Sequence, residues 1–139
     1  MKSLVSLTRG LVGKQYSLGT DDCFSLIIKY LRNCGIDIPG EYMGLTMETY
    51  ADLFRTDPAR AKEVMVALMD ELMIAARPEE AFAGDILLLA LNEAPPFLAI
   101  HSGNGRVLAA TEGRGVCQLS INRYEIVRVW RCRQQSRLQ

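Results

Sequence analysis

Hydrophobic positions along this chain follow two different periods. Up to about residue 76 they recur at helical spacing, and from Phe82 onward they fall into strand-length runs. Leu4, Leu7 and Leu11 share one face of a short helix over Ser3–Val12, closed by Gly13, and the stretch to Asp22 reads as loop. Leu26, Ile27, Tyr30 and Leu31 form the next stripe, on a helix that opens at Cys23 with Asp21 or Asp22 as its N-cap. Asn33-Cys34-Gly35 ends it, with Gly35 suited to the left-handed position after the last turn. Ile36 to Gly40 is an extended exit that Pro39 keeps out of the helix. Thr46 caps a helix to about Phe54 that buries Tyr50, Leu53 and Phe54. Asp57-Pro58 supplies a cap followed by proline at the first helical position. The helix it opens is expected to run to about Ala76 on a stripe of Val64, Met65, Leu68, Met69 and Leu72.

The second half reads as sheet. Ile86 to Leu91 is a continuous apolar run and predicts a strand buried on both faces. Phe97–Ser102 and Arg106–Ala110 flank Gly103-Asn104-Gly105, a hairpin signal. Gly115 to Leu119 is a short strand, and Tyr124 to Arg131 alternates and closes the sheet. Helices first and an antiparallel meander afterwards predict an α+β fold, one domain over residues 1–133 with a frayed tail at 134–139.

Composition narrows the function classes. Lys+Arg and Asp+Glu are both 16, so nothing points to nucleic acid as a partner. No run has the length of a membrane span, and the N-terminus is too short and polar for a signal peptide, so synthesis and reduced thiols in the cytoplasm are expected. The cysteines at 23, 34, 117 and 132 form no Cys-x-x-Cys pair and no metal-ligand spacing with the single histidine, His101, so no metal or other cofactor is expected. Asp21-Asp22 is explained by capping and the helix dipole. Cys23 is different, because a thiol in the first turn of a helix lies in the positive end of the macrodipole, which favours the nucleophilic thiolate. The same position also suits a small packing residue.

Further pieces connect this cysteine to a known pattern. They are Gly13-Lys-Gln-Tyr16, Asp22-Cys23 with Leu26 after it, Gly35-Ile-Asp-Ile-Pro39, Gly84-Asp85-Ile-Leu, Gly103-Asn-Gly105 and Gly115-Val116. In this order and spacing the chain, from about Leu4 to Arg131, resembles the NlpC family, papain-like cysteine peptidases that cut bacterial cell-wall peptides. The resemblance implies a papain-like fold, with N-terminal helices on the C-terminal sheet. It implies Cys23 as nucleophile and Tyr16, with Asp22, beside it toward the substrate. The compact spacing is most similar to versions carried by tailed phages and prophages, which implies cell-wall peptides or phage structural proteins as partners and association with the phage particle.

The resemblance fails at the base. A cysteine nucleophile needs a group that takes its proton, and that base needs an orienter. Aligned without gaps, the family's histidine falls on Phe97 and the orienter on Ala109. His101 lies four residues further along the strand, ~13 Å at strand rise. The serine and glycine that follow the family's cysteine are Phe24 and Ser25 here. Two readings follow. In the preferred one the hydrolase is impaired and serves as a binding or assembly module, with Phe97 lining an apolar former cleft. Its candidate contact surfaces are the Met-rich helix from Pro58 and the loop Ala94–Phe97, both also explicable as packing, with a core face the favoured reading of the Met stripe. In the alternative, Cys23 attacks peptide amides with His101 as a relocated base.

Overall fold

A computed structural model describes residues 23–92, 96–111 and 115–132. Among these residues there are three α-helices, α1 (Cys23–Asn33), α2 (Met47–Thr56) and α3 (Pro58–Leu72). Six strands follow: β1 (Ile74–Ala76), β2 (Ile86–Ala90), β3 (Phe97–Gly103), β4 (Arg106–Thr111), β5 (Gly115–Ser120) and β6 (Glu125–Arg131). The expected Ser3–Val12 helix, Tyr16, Asp21, Asp22 and the tail from residue 134 lie outside the described residues.

The helix ends follow local chemistry. Thr46 accepts from the Thr49 N–H at 3.3 Å while the Thr46 N–H donates to Thr49 Oγ1 at 2.7 Å, so each satisfies a donor the first turn leaves open. Asp57 accepts from the Arg60 N–H at 3.2 Å, with Pro58 at the first helical position, where its missing N–H costs nothing. At the end of α1, Gly35 takes φ 86°, the Gly35 N–H reaches the Arg32 carbonyl and the Ile36 N–H the Leu31 carbonyl, both at 3.0 Å. This reciprocal closure needs a residue that tolerates left-handed backbone.

The long helix stops earlier than its periodicity predicts. α3 ends at Leu72, Met73 turns extended, and Ile74–Ala76 become an edge strand paired with Arg131, Trp130 and Val129. Burial of Met73 and the ladder bonds to β6 outweigh the helical preference of Ala75 and Ala76. The Met-rich stripe is core rather than an outward contact surface, since Met65 and Met69 are buried with Ala61 and Leu68.

The sheet is antiparallel, in the order β1-β6-β2-β3-β4-β5. Strands β2 to β5 are the expected meander. The last strand does not extend it past β5 but inserts between β1 and β2. That central position explains the unbroken apolar run of β2, whose Ile86 to Leu89 are flanked by β3 and β6 and buried on both faces.

Side-chain alternation divides the sheet. Ile86, Leu88, Leu98, Ile100, Leu108 and Trp130 pack with Leu26, Ile27, Tyr30 and Leu31 of α1 and with α2 and α3. Leu87, Leu89, Ala99, Val107, Ala109 and Val129 form a second cluster on the opposite face, joined by Phe97, Leu119 and Tyr124. The fold is α+β, with helices on one face of the sheet, as the sequence predicts.

Candidate functional site

The candidate nucleophile lies where its helix begins. Cys23 is the first residue of α1, placing its backbone at the positive end of an 11-residue helix. The helix is held to the sheet by the apolar stripe and by a long-range hydrogen bond from the buried Tyr30 hydroxyl to the Gly84 carbonyl at 3.0 Å. Tyr30 is seven residues, or about two turns, beyond Cys23.

The candidate base is tied to the Tyr30 end of this helix. The Gly84 N–H donates to the His101 carbonyl, and the His101 N–H to the Asp85 carbonyl, both at 2.8 Å. Phe97, Ala99 and His101 alternate with Leu98 and Ile100, so their side chains share the sheet face turned away from the helices. His101 stands opposite Val107 on β4, just before a bulge that ends the regular pairing. Across this bulge the Gly103 N–H donates to His101 Nδ1 at 3.0 Å. A neutral imidazole that accepts at Nδ1 carries its proton on Nε2. Burial pushes the pKa of His101 below the ordinary histidine value, against a smaller opposing pull from Asp85. The result is a ring biased toward the neutral form whose basic nitrogen already accepts a backbone N–H.

The positions on which the sequence resemblance puts base and orienter lie on that same face. Phe97 meets Tyr124 edge-on, with ring centroids 5.3 Å apart. Ala109 is fully buried in the second cluster. The structure thus brings Phe97, His101 and Ala109 to one sheet face, while Cys23 opens a helix packed on the other.

Sequence reasoning missed the charged pair beside His101. Asp85 is fully buried. Its carboxylate accepts from Arg131 Nε at 3.0 Å, from Arg131 Nη2 at 2.9 Å and from the Phe82 N–H at 3.0 Å. Arg131 Nη2 also donates to the Glu80 carbonyl at 3.1 Å, and the guanidinium lies 3.9 Å above the Phe82 ring. Hydrogen bonding to Asp85 raises the Arg131 pKa further. The available signal was a charge at the end of each of two strands, Asp85 just before the apolar β2 and Arg131 closing β6. Among the described residues no cluster of His, Cys, Asp and Glu could hold a metal ion. Nor is any described helix long and apolar enough to cross a membrane.

The model of a protein family described as domain of unknown function DUF6950 matches residues 2–132. The chain belongs to the DUF6950 family. No curated protein matches this DUF6950 chain. Among solved structures it is similar to one from Staphylococcus aureus subsp. aureus Mu50, described as similar to a lipoprotein of the NLP/P60 family. The two are 18% identical with a TM-score of 0.55. The match covers 92% of this DUF6950 chain and 39% of the staphylococcal one, so it spans well under half of that protein. At this identity the likeness is one of fold, and it shows the NlpC-like α+β arrangement that the sequence resemblance implies.

Proposed function

We propose that this chain is an NlpC-like domain that has kept the peptidase scaffold and lost its catalytic drive, and that it acts as a binding or assembly module in a cell-wall or phage-tail setting. The observation that carries this reading is the state of the only imidazole. Burial favours the neutral form of His101, its Nδ1 lone pair accepts from the Gly103 N–H, and alternation with Leu98 and Ile100 puts it on the sheet face away from α1. Without a base a thiol at neutral pH is a weak nucleophile, and a helix terminus alone does not take up a proton during attack. Phe97 and Ala109, both apolar, occupy the positions where the resemblance puts base and orienter. The partners on this reading are cell-wall peptides or structural proteins of the phage particle.

One observation favours the alternative, an active cysteine endopeptidase or amidase. Cys23 opens α1, the position that activates a thiol. The two readings separate on incubation with cell-wall peptides beside Cys23→Ala. The binding-module reading expects no cleavage by either protein. Cleavage that disappears in Cys23→Ala and in His101→Ala would establish the hydrolase. A rate of thiol alkylation against pH adds a second readout. Selective labelling of Cys23 near neutral pH combined with no turnover is the behaviour of a nucleophile without a base.

A further inference from the structure

A pocket lies on the helical side of the molecule, on a stripe of α1 that does not face the sheet. Phe24, Ile28 and Arg32 follow one another at four-residue spacing along α1 and line it from the first turn to the last. Tyr50 of α2 and Val64 and Leu68 of α3 close the floor, and the Phe24 and Tyr50 rings meet at a 35° tilt with centroids 4.3 Å apart. The chain from Ile38 to Leu45 forms the remaining wall.

That wall is locked. Tyr42 and Leu45 exchange two backbone hydrogen bonds at 2.9 Å around Met43 and Gly44, whose φ values of 52° and 80° belong to a tight hairpin turn. The cavity is about 50 Å³. This is roughly a third of an engineered apolar cavity that takes benzene, which leaves room for a short branched alkyl group but not a ring.

The lining carries one ionised side chain. Among the described residues that line the pocket Arg32 is the only charged one, and the Glu71 carboxylate reaches the Tyr42 hydroxyl in its wall. Ion pairs among the described residues engage Arg55, Arg60, Arg77, Arg128 and Arg131, but not Arg32. Tyr42 stays a neutral hydroxyl, pushed up by burial and then by Glu71. An apolar cavity with a single unpaired guanidinium at its rim fits a ligand with one small alkyl group and one anionic end.

We propose that this pocket binds the carboxylate of a small branched aliphatic acid, with the alkyl group in the cavity and the carboxylate on Arg32. The same chemistry occurs in a free short-chain acid and at the carboxyl end of a peptide with an aliphatic last residue. The assignment goes beyond the function proposed above and is independent of it, because neither Cys23 nor the sheet face of His101 takes part.

The test uses 3-methylbutanoate, N-acetylvaline and N-acetylvalinamide, titrated into the whole chain and followed by amide shifts of the lining residues. At least one of the two acids moves the resonances of Ile28, Leu45 and Leu68, and the uncharged amide binds at least about tenfold more weakly, as loss of a charge-assisted contact requires. Tighter binding of N-acetylvaline identifies a peptide end as the source, and tighter binding of 3-methylbutanoate a free acid. Arg32→Gln lowers acid affinity about tenfold. Gly40→Phe closes the mouth without disturbing the core, because a Cβ at Gly40 meets nothing within 4 Å, and it abolishes the shifts. Equal binding of acid and amide, unchanged affinity in Arg32→Gln, or pocket resonances that no acid moves would each overturn the proposal.

Discussion

Ile86, Leu88, Leu98, Ile100 and Trp130 turn toward the helices, while Leu87, Leu89, Ala99, Val107 and Ala109 turn away from them. The helix-backed face is filled with large side chains and carries most of the buried volume. The opposite face mixes small residues with one aromatic contact, the Asp85–Arg131 pair and the single histidine. A cysteine nucleophile needs a base within reach of its thiol. Here the opposite face is built for packing and for a buried charge pair. The contrast separates what preserves the NlpC-like fold from what would drive its chemistry.

The contrast can be broken most severely at Trp130. It is fully buried, and its Nε1 donates to Asp70 at 2.8 Å. Trp130→Ala is expected to cost about 3–5 kcal/mol in urea unfolding. A loss below about 1 kcal/mol would mean that this face is not the principal core.

Asp85→Asn tests the opposite face. It leaves a guanidinium that is only 19% exposed without its counter-charge. The expected loss is about 2–3 kcal/mol, at the lower edge of what breaking a buried pair costs because Arg131 regains some hydration. Replacing both partners, Asp85→Ala with Arg131→Met, should cost less than the sum of the single changes.

Tyr30→Phe removes the hydrogen bond that joins α1 to the Gly84 carbonyl and leaves a buried acceptor unpaired. It should cost about 1–2 kcal/mol. An unchanged midpoint would show that this hydrogen bond does not help to seat the helix.

The smallest effect belongs to His101 and is read as a slope. Its folded pKa lies below the unfolded value, so the unfolded chain binds the extra proton first as pH falls. Stability from this group is therefore fully present above the unfolded pKa, near 6.5, and declines as pH falls toward the folded pKa. His101→Asn keeps an acceptor for the Gly103 N–H and should flatten that part of the profile. An identical slope in the variant would rule out His101 as its source.

Much of this architecture was legible because the signals are local. Thr46, Asp57-Pro58, Gly35 and Gly103-Asn104-Gly105 act on their own neighbours, and each forms the cap or turn that its chemistry predicts. The conversion of Ile74–Ala76 into a strand was not legible, because it depends on pairing with Val129–Arg131 far along the chain. The position of β6 and the Asp85–Arg131 pair were hidden for the same reason. The candidate site was legible in part. Alternation alone puts Phe97 and His101 on one face, but only the placement of α1 shows that the helix packs on the other. The acceptance of the Gly103 N–H by His101 Nδ1 depends on a bulge that residue patterns do not encode.

The insertion of β6 between β1 and β2 also sets a temporal order for folding. During synthesis the helices and the β2–β5 meander leave the ribosome before the strand that belongs at the centre of the sheet. Until Glu125–Arg131 emerges, one edge of the fully apolar β2 has no partner, and Trp130 is missing from the core. Completion of the sheet therefore waits for residues 125–131, and a chain cut before residue 125 would expose an aggregation-prone edge rather than merely lose one strand.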